Sequence, residues 1–422
     1  MAETIEKGWV HSIRPVGKIL FVILRNRKGF VQVTFKKSEN EKLFKLAKTL
    51  NLEDVIEVKG SEVPDTISKV GREIKPSYLK IISRAKQPLP IDVTGITQAL
   101  LPTRLDWRPL DLRKRENFAI FKIQASIVEA AEDYLREHGF IQVFTPALIG
   151  GASEGGAEVF EVEYFGKQAF LRQDPQLHRQ LLMIGGFEKI FEIGPSWRAE
   201  KSYTARHLCE HRGIAVEMSF IDDEYDVIKL EEDLVCHIVE HVKRRNREDL
   251  ELLGVTLETP RRPFPILEFP EIYEILEKMG KKIPYGEDYD RESEILLWKY
   301  VKKKYDNDFF FVNRFPFAVK PFYVMRVDEE PFWARSVDLL YKGLELSSGG
   351  QREHRYDKII EQALEKDISL ESIEWFAEHF KYGAPPHGGF NIGIERLTMQ
   401  LLNIRNIREA TLFPRDPERL LP

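Results

Sequence analysis

Between residues 7 and 85 the chain runs in short apolar stretches, rich in β-branched and aromatic side chains, cut by turn-forming clusters. "GWVHSI", "KILFVILRN" and "GFVQVTF" read as strands, with "RPVG" and "RKG" as the turns between them. A helical pattern follows from Glu41 to Leu50, and "VIEVKGSEV" and "YLKIISRA" read as two further strands. Five strands with one helix predict an OB-type barrel. "KQPLPIDVTG" has two prolines and no period, so it reads as a linker.

From about residue 100 the pattern changes. "NFAIFKIQASIVEAAEDYLREHG" spaces its apolar residues as a helix does and stops at Gly139. "FIQVFTP" reads as a strand stopped by Pro146, and "QAFLR", "KIFEIGPSWRAE" and "GIAVEMSF" as further strands. Helices are predicted over 225–248 and 271–279. "FFFVNRFP", "PFYVMRV" and "SVDLLYKGLELSS" again read as strands, and "GGFNIGIERLTMQLLNI" as a glycine-rich lead into a helix. Strands scattered among helices, without βαβ alternation, predict an α+β fold with an antiparallel sheet.

Composition narrows the class. The chain has 422 residues, 43% of them hydrophobic, enough for two or three cores. The net charge is −5 with signs interspersed, so any basic surface is local. Cys209 and Cys236 have no metal-ligand spacing and give no disulfide framework. No apolar run reaches membrane-spanning length, and the start is neither a signal nor a transit peptide, which predicts a soluble, cytoplasmic protein.

Four segments concentrate chemistry. In "FEIGPSWRAEKSYTARHLCEHRGIAVEMSF", Arg198 and Glu200 lie two apart and point the same way if extended, with Arg206 and His207 beyond a polar loop. Arginines there suit phosphates through charge-assisted bonds; a surface hairpin with a polar tip explains the same residues. In "SVDLLYKGLELSSGGQREHRYD", a two-residue turn at Lys342-Gly343 would pair Leu340 with Glu345 and set Asp338 on the same face as Glu345. Two converging carboxylates suit Mg²⁺, or are simply solvent-facing acids on an edge hairpin. "PPHGGFNIGIERL" offers close backbone approach and Arg396. "GGASEGGAEVF" carries Glu154 on what reads as a lid or a linker.

Together these segments resemble the three signature motifs of class II aminoacyl-tRNA synthetases, and more narrowly the archaeal-type aspartyl-tRNA synthetases. "GFIQVFTP" is similar to motif 1, "FEIGPSWRAE…TARHL" to motif 2 and "GGFNIGIERL" to motif 3, with "TRLDWRPLDLR", "LELSSGGQREHRYD" and "FPRD" also similar. The resemblance covers almost the whole chain. It implies an OB-fold anticodon-binding domain over 1–86, a hinge over 87–115 and a class II catalytic domain over 116–422, dimerising through motif 1. It implies a two-step reaction: amino acid and ATP give an aminoacyl-adenylate, which then esterifies tRNA. Matched residue by residue, Arg198 holds the α-phosphate and Glu200 the adenine amino group. Arg206, His207 and Arg396 hold the β,γ-phosphates, and Arg396 also lies near the adenine. Asp338 and Glu345, helped by Ser348, bind Mg²⁺. Phe21 and Gln32 fall where the family stacks and reads the central anticodon base, although Phe21 is equally a core residue by type.

Within that resemblance, the amino-acid side is where this chain departs. Arg352 matches the arginine that takes the substrate's side-chain carboxylate. Arg179 stands where the family has a lysine, keeping charge but not shape. Two cations leave an asparagine amide facing donors, a penalty of about 1–3 kcal/mol for an unmade buried bond. The implied substrate is therefore L-aspartate; the alternatives are an asparaginyl enzyme, or a paralogue with altered amino-acid or acceptor specificity. The acid that receives the substrate ammonium in the family is replaced by Ala215. Asp174, in place of the family's serine, is expected to take over, aided by Gln176 and by Glu154 from its loop. By residue preference Asp174 is also an N-cap ahead of Pro175.

Overall fold

The computed structural model describes residues 3–64, 66, 68–151 and 158–422. The chain divides into two compact units, Met1–Lys114 and Arg115–Pro422.

In the first unit, strands β1 (Glu3–Val16), β2 (Ile19–Asn26), β3 (Gly29–Lys36), β4 (Val55–Glu62) and β5 (Glu73–Ser83) close a barrel in the order β1-β2-β3-β5-β4. Helix α1 is Glu41–Ala47, capped by the Asn40 side chain on Leu43 N–H. Alternation fixes the inside: Leu20, Val22 and Leu24 of β2 and Val31, Val33 and Phe35 of β3 are core. Phe21 and Gln32 therefore fall on the opposite face, both half-buried. Short helices α2 (Leu101–Asp106) and α3 (Arg108–Asp111) follow an irregular stretch.

The second unit opens with α4 (Arg115–Glu137), β6 (Ile141–Gln142), β7 (Leu148–Ile149), β8 (Glu161–Tyr164), β9 (Lys167–Leu171) and α5 (Gln176–Ile184). It continues through β10 (Lys189–Trp197), β11 (Glu210–Ser219), α6 (Glu224–Arg245), α7 (Arg247–Leu253), β12 (Ile266–Glu268), α8 (Phe269–Lys278), α9 (Arg291–Tyr305) and β13 (Phe309–Asn313). It ends with β14 (Ser336–Tyr341), β15 (Leu344–Arg352), α10 (Tyr356–Glu365), α11 (Leu370–Ala377), β16 (His387–Gly393) and α12 (Ile394–Leu401). Eight strands form one sheet in the order β12-β13-β14-β15-β16-β11-β10-β6, antiparallel except for a parallel pair at each edge. Helices α4, α6 and α12 bury their apolar faces against it in the largest core, which joins Ile127, Val235, Phe390 and Leu397. The other face of the sheet's centre is polar and carries the site. No helix among the described residues is long and apolar enough to cross a membrane.

Three expectations need correction, and one gains detail. "FIQVFTP" is a strand only at Ile141–Gln142; beyond one bond from Val143 N–H to Phe191 the chain leaves the sheet, with Phe144 exposed. "PFYVMRV" is not a strand: Pro321 supplies no N–H, Val324 N–H turns back to the Pro321 carbonyl, and only isolated bridges form at Val324 and Arg326. Its apolar residues instead fill a core with α10 and α11. "GGFNIG" leads into α12 as expected, and it does so as strand β16, flanked by β11 and β15. Its glycines serve strand packing, because a Cβ at Gly388 or Gly389 would run into neighbouring backbone. Finally, Asp174 is not the cap of α5. The helix starts at Gln176, no side chain caps it, and the Asp174 carboxylate is taken by Arg179 and Asn391. A buried guanidinium is a stronger partner for a carboxylate than a backbone N–H.

Candidate active site

A cavity of about 470 Å³ opens over β11, β15 and β16, a size suited to a small-molecule site. Its wall is overwhelmingly charged and polar, and it divides by chemistry into three parts.

The first part comes from the end of β10 and the loop after it. Arg198 and Glu200 lie just beyond Trp197 and face one another at 3.6 Å, both lining the cavity. Arg206 and His207 join them. The His207 Nδ1 lies 2.7 Å from the Thr204 hydroxyl, and burial lowers the pKa of the ring, so it is neutral near pH 7. Arg396, in the first turn of α12, reaches the Glu345 carboxylate at 3.1 Å.

The second part is the β14–β15 hairpin. Lys342 and Gly343 both have positive φ (48° and 68°), as the expected two-residue turn demands, and Leu340 pairs with Glu345. A bulge at Leu346 then shifts the register, so Asp338 faces Ser348 directly. The hairpin alone foretold the shared face of Asp338 and Glu345; the bulge sets Ser348 rather than Ser347 opposite Asp338. Lys320 sits against Asp338, its Nζ 3.3 and 3.4 Å from the two oxygens and 3.4 Å from the centre of the Phe315 ring. Burial, with the Glu345 charge adding to it, pushes the Asp338 carboxyl up to about 7 against the pull of Lys320. Among the described residues no three His, Cys, Asp or Glu side chains form a metal-holding group. The hairpin offers two carboxylates and a hydroxyl.

The third part is where α5 meets β11, β15 and β16. Arg352 is 5% exposed and lines the cavity. Its Nε donates to Glu217 at 3.1 Å, and its Nη2 to the Gln176 amide oxygen at 3.2 Å and the Gly389 carbonyl at 3.0 Å. The Gln176 amide nitrogen donates to the other Glu217 oxygen at 3.0 Å. Glu217, fully buried, thus fixes both residues. Asp174 also lines the cavity; it accepts from Arg179 at 2.6 Å and from the Asn391 amide at 2.9 Å. Burial works to raise its pKa, but Arg179, Asn391 and Arg352 outweigh burial and hold it below the usual carboxylate range. Arg179 itself does not line the main cavity. At 1% exposure it borders a second void of about 10 Å³, room for roughly one water, next to Ala215, and among the described residues its Nε and Nη1 have no hydrogen-bond partner.

The structure therefore brings Asp174, Gln176, Arg198, Glu200, Arg206, His207, Asp338, Glu345, Ser348, Arg352 and Arg396 to one cavity. It leaves Arg179 behind Asp174. Glu154 lies outside the described residues. Phe21 and Gln32 belong to the barrel, where the Arg14 guanidinium stacks over the Phe21 ring at 4.9 Å and Gln32 donates to Thr34 at 3.3 Å. Sequence reasoning missed Lys320, Asp288, Glu217 and Asn391 as parts of this site. Glu217 and Asn391 were the more visible: each is a lone polar residue in an otherwise apolar or glycine strand run, where burial demands a partner.

Comparison with known proteins gives the family. Residues 101–417 match the family of class II tRNA synthetases (D, K and N), and residues 4–82 match the OB-fold nucleic acid binding domain family. The aspartate–tRNA(Asp) ligase of Pyrococcus horikoshii is 47% identical over 416 residues, covering 98% of this chain and 95% of the relative. The aspartate–tRNA(Asp/Asn) ligase of Aeropyrum pernix is 44% identical over 420 residues, covering 98% and 94%. Among solved structures, the asparaginyl-tRNA synthetase of P. horikoshii complexed with asparaginyl-adenylate superposes with a TM-score of 0.93 at 33% identity, covering 100% of this chain and 96% of that one. The chain belongs to the class II tRNA synthetases of the D, K and N group, and carries their OB-fold nucleic-acid-binding domain at its N-terminus.

Proposed function

We propose that the chain is an aspartate–tRNA ligase, which activates L-aspartate with ATP and transfers it to the 3′ end of tRNA(Asp). The observation that carries the amino-acid choice is Arg352, a cation at the cavity wall whose orientation Glu217, Gln176 and the Gly389 carbonyl fix. A pre-oriented guanidinium selects a carboxylate over an amide, because an amide NH₂ set against it leaves donors facing donors. Identity of 47% to an aspartate–tRNA(Asp) ligase supports the same choice. A tRNA(Asp/Asn) ligase at 44% identity makes tRNA(Asn) the second acceptor to test.

In the first step a substrate carboxylate oxygen attacks the α-phosphorus of ATP, and the bond to pyrophosphate breaks. No enzyme nucleophile is needed, so catalysis is orientation and charge stabilisation. Arg198 takes the α-phosphate and Glu200 the adenine amino group. Arg206, His207 and Arg396 take the β,γ-phosphates, with neutral His207 acting as a hydrogen-bond donor. Asp174 and Gln176 receive the substrate ammonium, with Glu154 closing from its loop and Arg179 reinforcing from behind Asp174. In the second step the terminal ribose hydroxyl of tRNA attacks the adenylate carbonyl, and AMP leaves.

The donor set of Asp338, Glu345 and Ser348 fits Mg²⁺: all are hard oxygens, and the two acids repel one another in a buried setting that a divalent cation relieves. Bound there, Mg²⁺ would neutralise polyphosphate charge. In the barrel, Phe21 and Gln32 share the solvent-side face of β2 and β3, the face OB-folds use for oligonucleotides, and are assigned to the anticodon. The working boundaries are 1–86 for the anticodon domain, 87–115 for the hinge and 116–422 for catalysis. The same reading places the protein in the cytoplasm as a homodimer through the segment around Pro146, supported by exposed Phe118, Phe144 and Leu148.

The test is aminoacylation with radiolabelled aspartate on tRNA(Asp) and tRNA(Asn) transcripts. Charging of tRNA(Asp) supports the proposal; charging of neither, with intact adenylate formation, would refute the acceptor assignment.

A further inference from the structure

We infer that Asn391 is a positioning residue for amino-acid selection: it holds the Asp174 carboxylate turned toward the cavity, where the substrate's α-ammonium meets it. This rests on the reading of Asp174 as the ammonium acceptor.

Asn391 sits in the middle of β16, opposite Ala215 of β11 on one side and Ser348 of β15 on the other. It lines both the main cavity and the small void beside Ala215. Its amide nitrogen donates to Asp174 Oδ2 at 2.9 Å, while Arg179 Nη2 donates to Oδ1 at 2.6 Å. The two oxygens are thus held by different partners, one neutral and one charged. That division matters because a guanidinium prefers to bind a carboxylate through both oxygens at once. Arg179 has the means to do so: it is buried, and among the described residues its Nε and Nη1 have no hydrogen-bond partner. Without the Asn391 amide, Oδ2 loses the donor that opposes a turn of the carboxylate onto the Arg179 fork. Its negative charge would then withdraw from the cavity, and the substrate ammonium would lose its counter-charge. Exposure supports the asymmetry, since the Asp174 side chain is 16% exposed and that of Arg179 only 1%.

The backbone around Asn391 makes room for this contact. Gly213, on β11, faces the amide; a Cβ there would lie 2.8 Å from Asn391 Cγ. Ala215 brings no polar atom of its own to the pair. The acid that serves the ammonium therefore comes from the residues preceding α5, and the β16 amide sets its direction.

Asn391→Leu tests this, because leucine keeps the branched shape of the side chain without the donor. Apparent affinity for aspartate, measured by equilibrium dialysis and as the KM in ATP–pyrophosphate exchange, is expected to weaken about tenfold, with kcat within about twofold and the ATP KM unchanged. Asn391→Gly, which removes volume and donor together, is expected to weaken aspartate binding to the same degree. A space-filling role predicts instead that Asn391→Leu binds aspartate like the wild type while Asn391→Gly does not, and that result overturns the inference. Asp174→Asn separates the two layers. If it leaves aspartate binding unchanged, the ammonium assignment itself fails. If it weakens binding and Asn391→Leu does not, only the positioning role fails. In the double variant Asn391→Leu/Asp174→Asn, binding no weaker than in Asp174→Asn alone is the expected sign of coupling; full additivity contradicts it.

Discussion

Replacing Arg352 by lysine keeps the charge of the amino-acid subsite and removes only its geometry. In the structure Arg352 spends Nε on Glu217 and Nη2 on Gln176 and the Gly389 carbonyl, which leaves the planar group fixed at the cavity wall. A lysine ammonium reaches Glu217 or the cavity, but cannot satisfy all three acceptors and a substrate as well. Two buried acceptors then lose a donor, at about 1 kcal/mol each, which lowers the melting temperature by roughly 3 °C for a unit of this size. The substrate loses a charge-assisted contact of about 1.5–3 kcal/mol, equivalent to roughly 10–150-fold in kcat/KM for aspartate. The ATP KM is expected to stay within about twofold, because Arg198, Arg206 and Arg396 are untouched. Arg179→Lys provides the contrast. Arg179 stands behind Asp174 rather than at the wall, so its effect on aspartate kcat/KM is expected to be smaller than that of Arg352→Lys. ATP–pyrophosphate exchange at varied aspartate reads both. If Arg352→Lys stays within twofold of the wild type, or if Arg179→Lys is the more damaging, the division of labour drawn from the structure is wrong.

Asp338→Asn is expected to raise the Mg²⁺ concentration needed for half-maximal exchange by about tenfold or more, read by titrating Mg²⁺ at fixed ATP; an unchanged requirement removes Asp338 from the metal site. Phe21→Ala is expected to raise the KM for tRNA, in line with about 1–3 kcal/mol per stacked base, while exchange without tRNA is unchanged; equal effects on both would point to a folding defect of the barrel. His387 is buried between the Pro385 carbonyl and the Gln180 amide oxygen, and burial pulls its pKa down to about 4. The unfolded chain, titrating near 6.5, takes up its proton first, so stability present above 6.5 is lost as pH falls toward 4. Thermal melts should show this loss, by about 3 kcal/mol for a site as shifted as this, and His387→Gln should flatten the slope between pH 6.5 and 4; an unaltered slope would assign the acid sensitivity elsewhere.

The barrel was legible because its signals are local. Alternation in β2 and β3 separates Leu20, Val22 and Leu24 from Phe21 without reference to the rest of the chain. The Asp338–Glu345 pair was legible for the same reason, since a Lys-Gly turn sets the register next to it. The bulge that brings Ser348 opposite Asp338 was not, because nothing in "LELSS" distinguishes a bulged from a regular strand. The cap expected at Asp174 failed for a tertiary reason. Arg179 and Asn391 compete for the carboxylate, and Asn391 arrives from a strand far along the chain. Lys320 was hidden in the same way: its partner Asp338 and its stacking ring Phe315 come together only once the "PFYVMRV" segment folds as core rather than as a strand. Arg352 and Arg179 read alike as cations near an α-amino acid; burial alone tells which of them meets the cavity.

The measurement that bears most directly on the whole account is ATP–pyrophosphate exchange with aspartate and asparagine compared side by side on the unmodified protein. A subsite built around a pre-oriented Arg352 predicts exchange with aspartate and a kcat/KM for asparagine at least about a hundredfold lower, the margin that an unpaired buried polar group allows. Equal or preferential exchange with asparagine would contradict it.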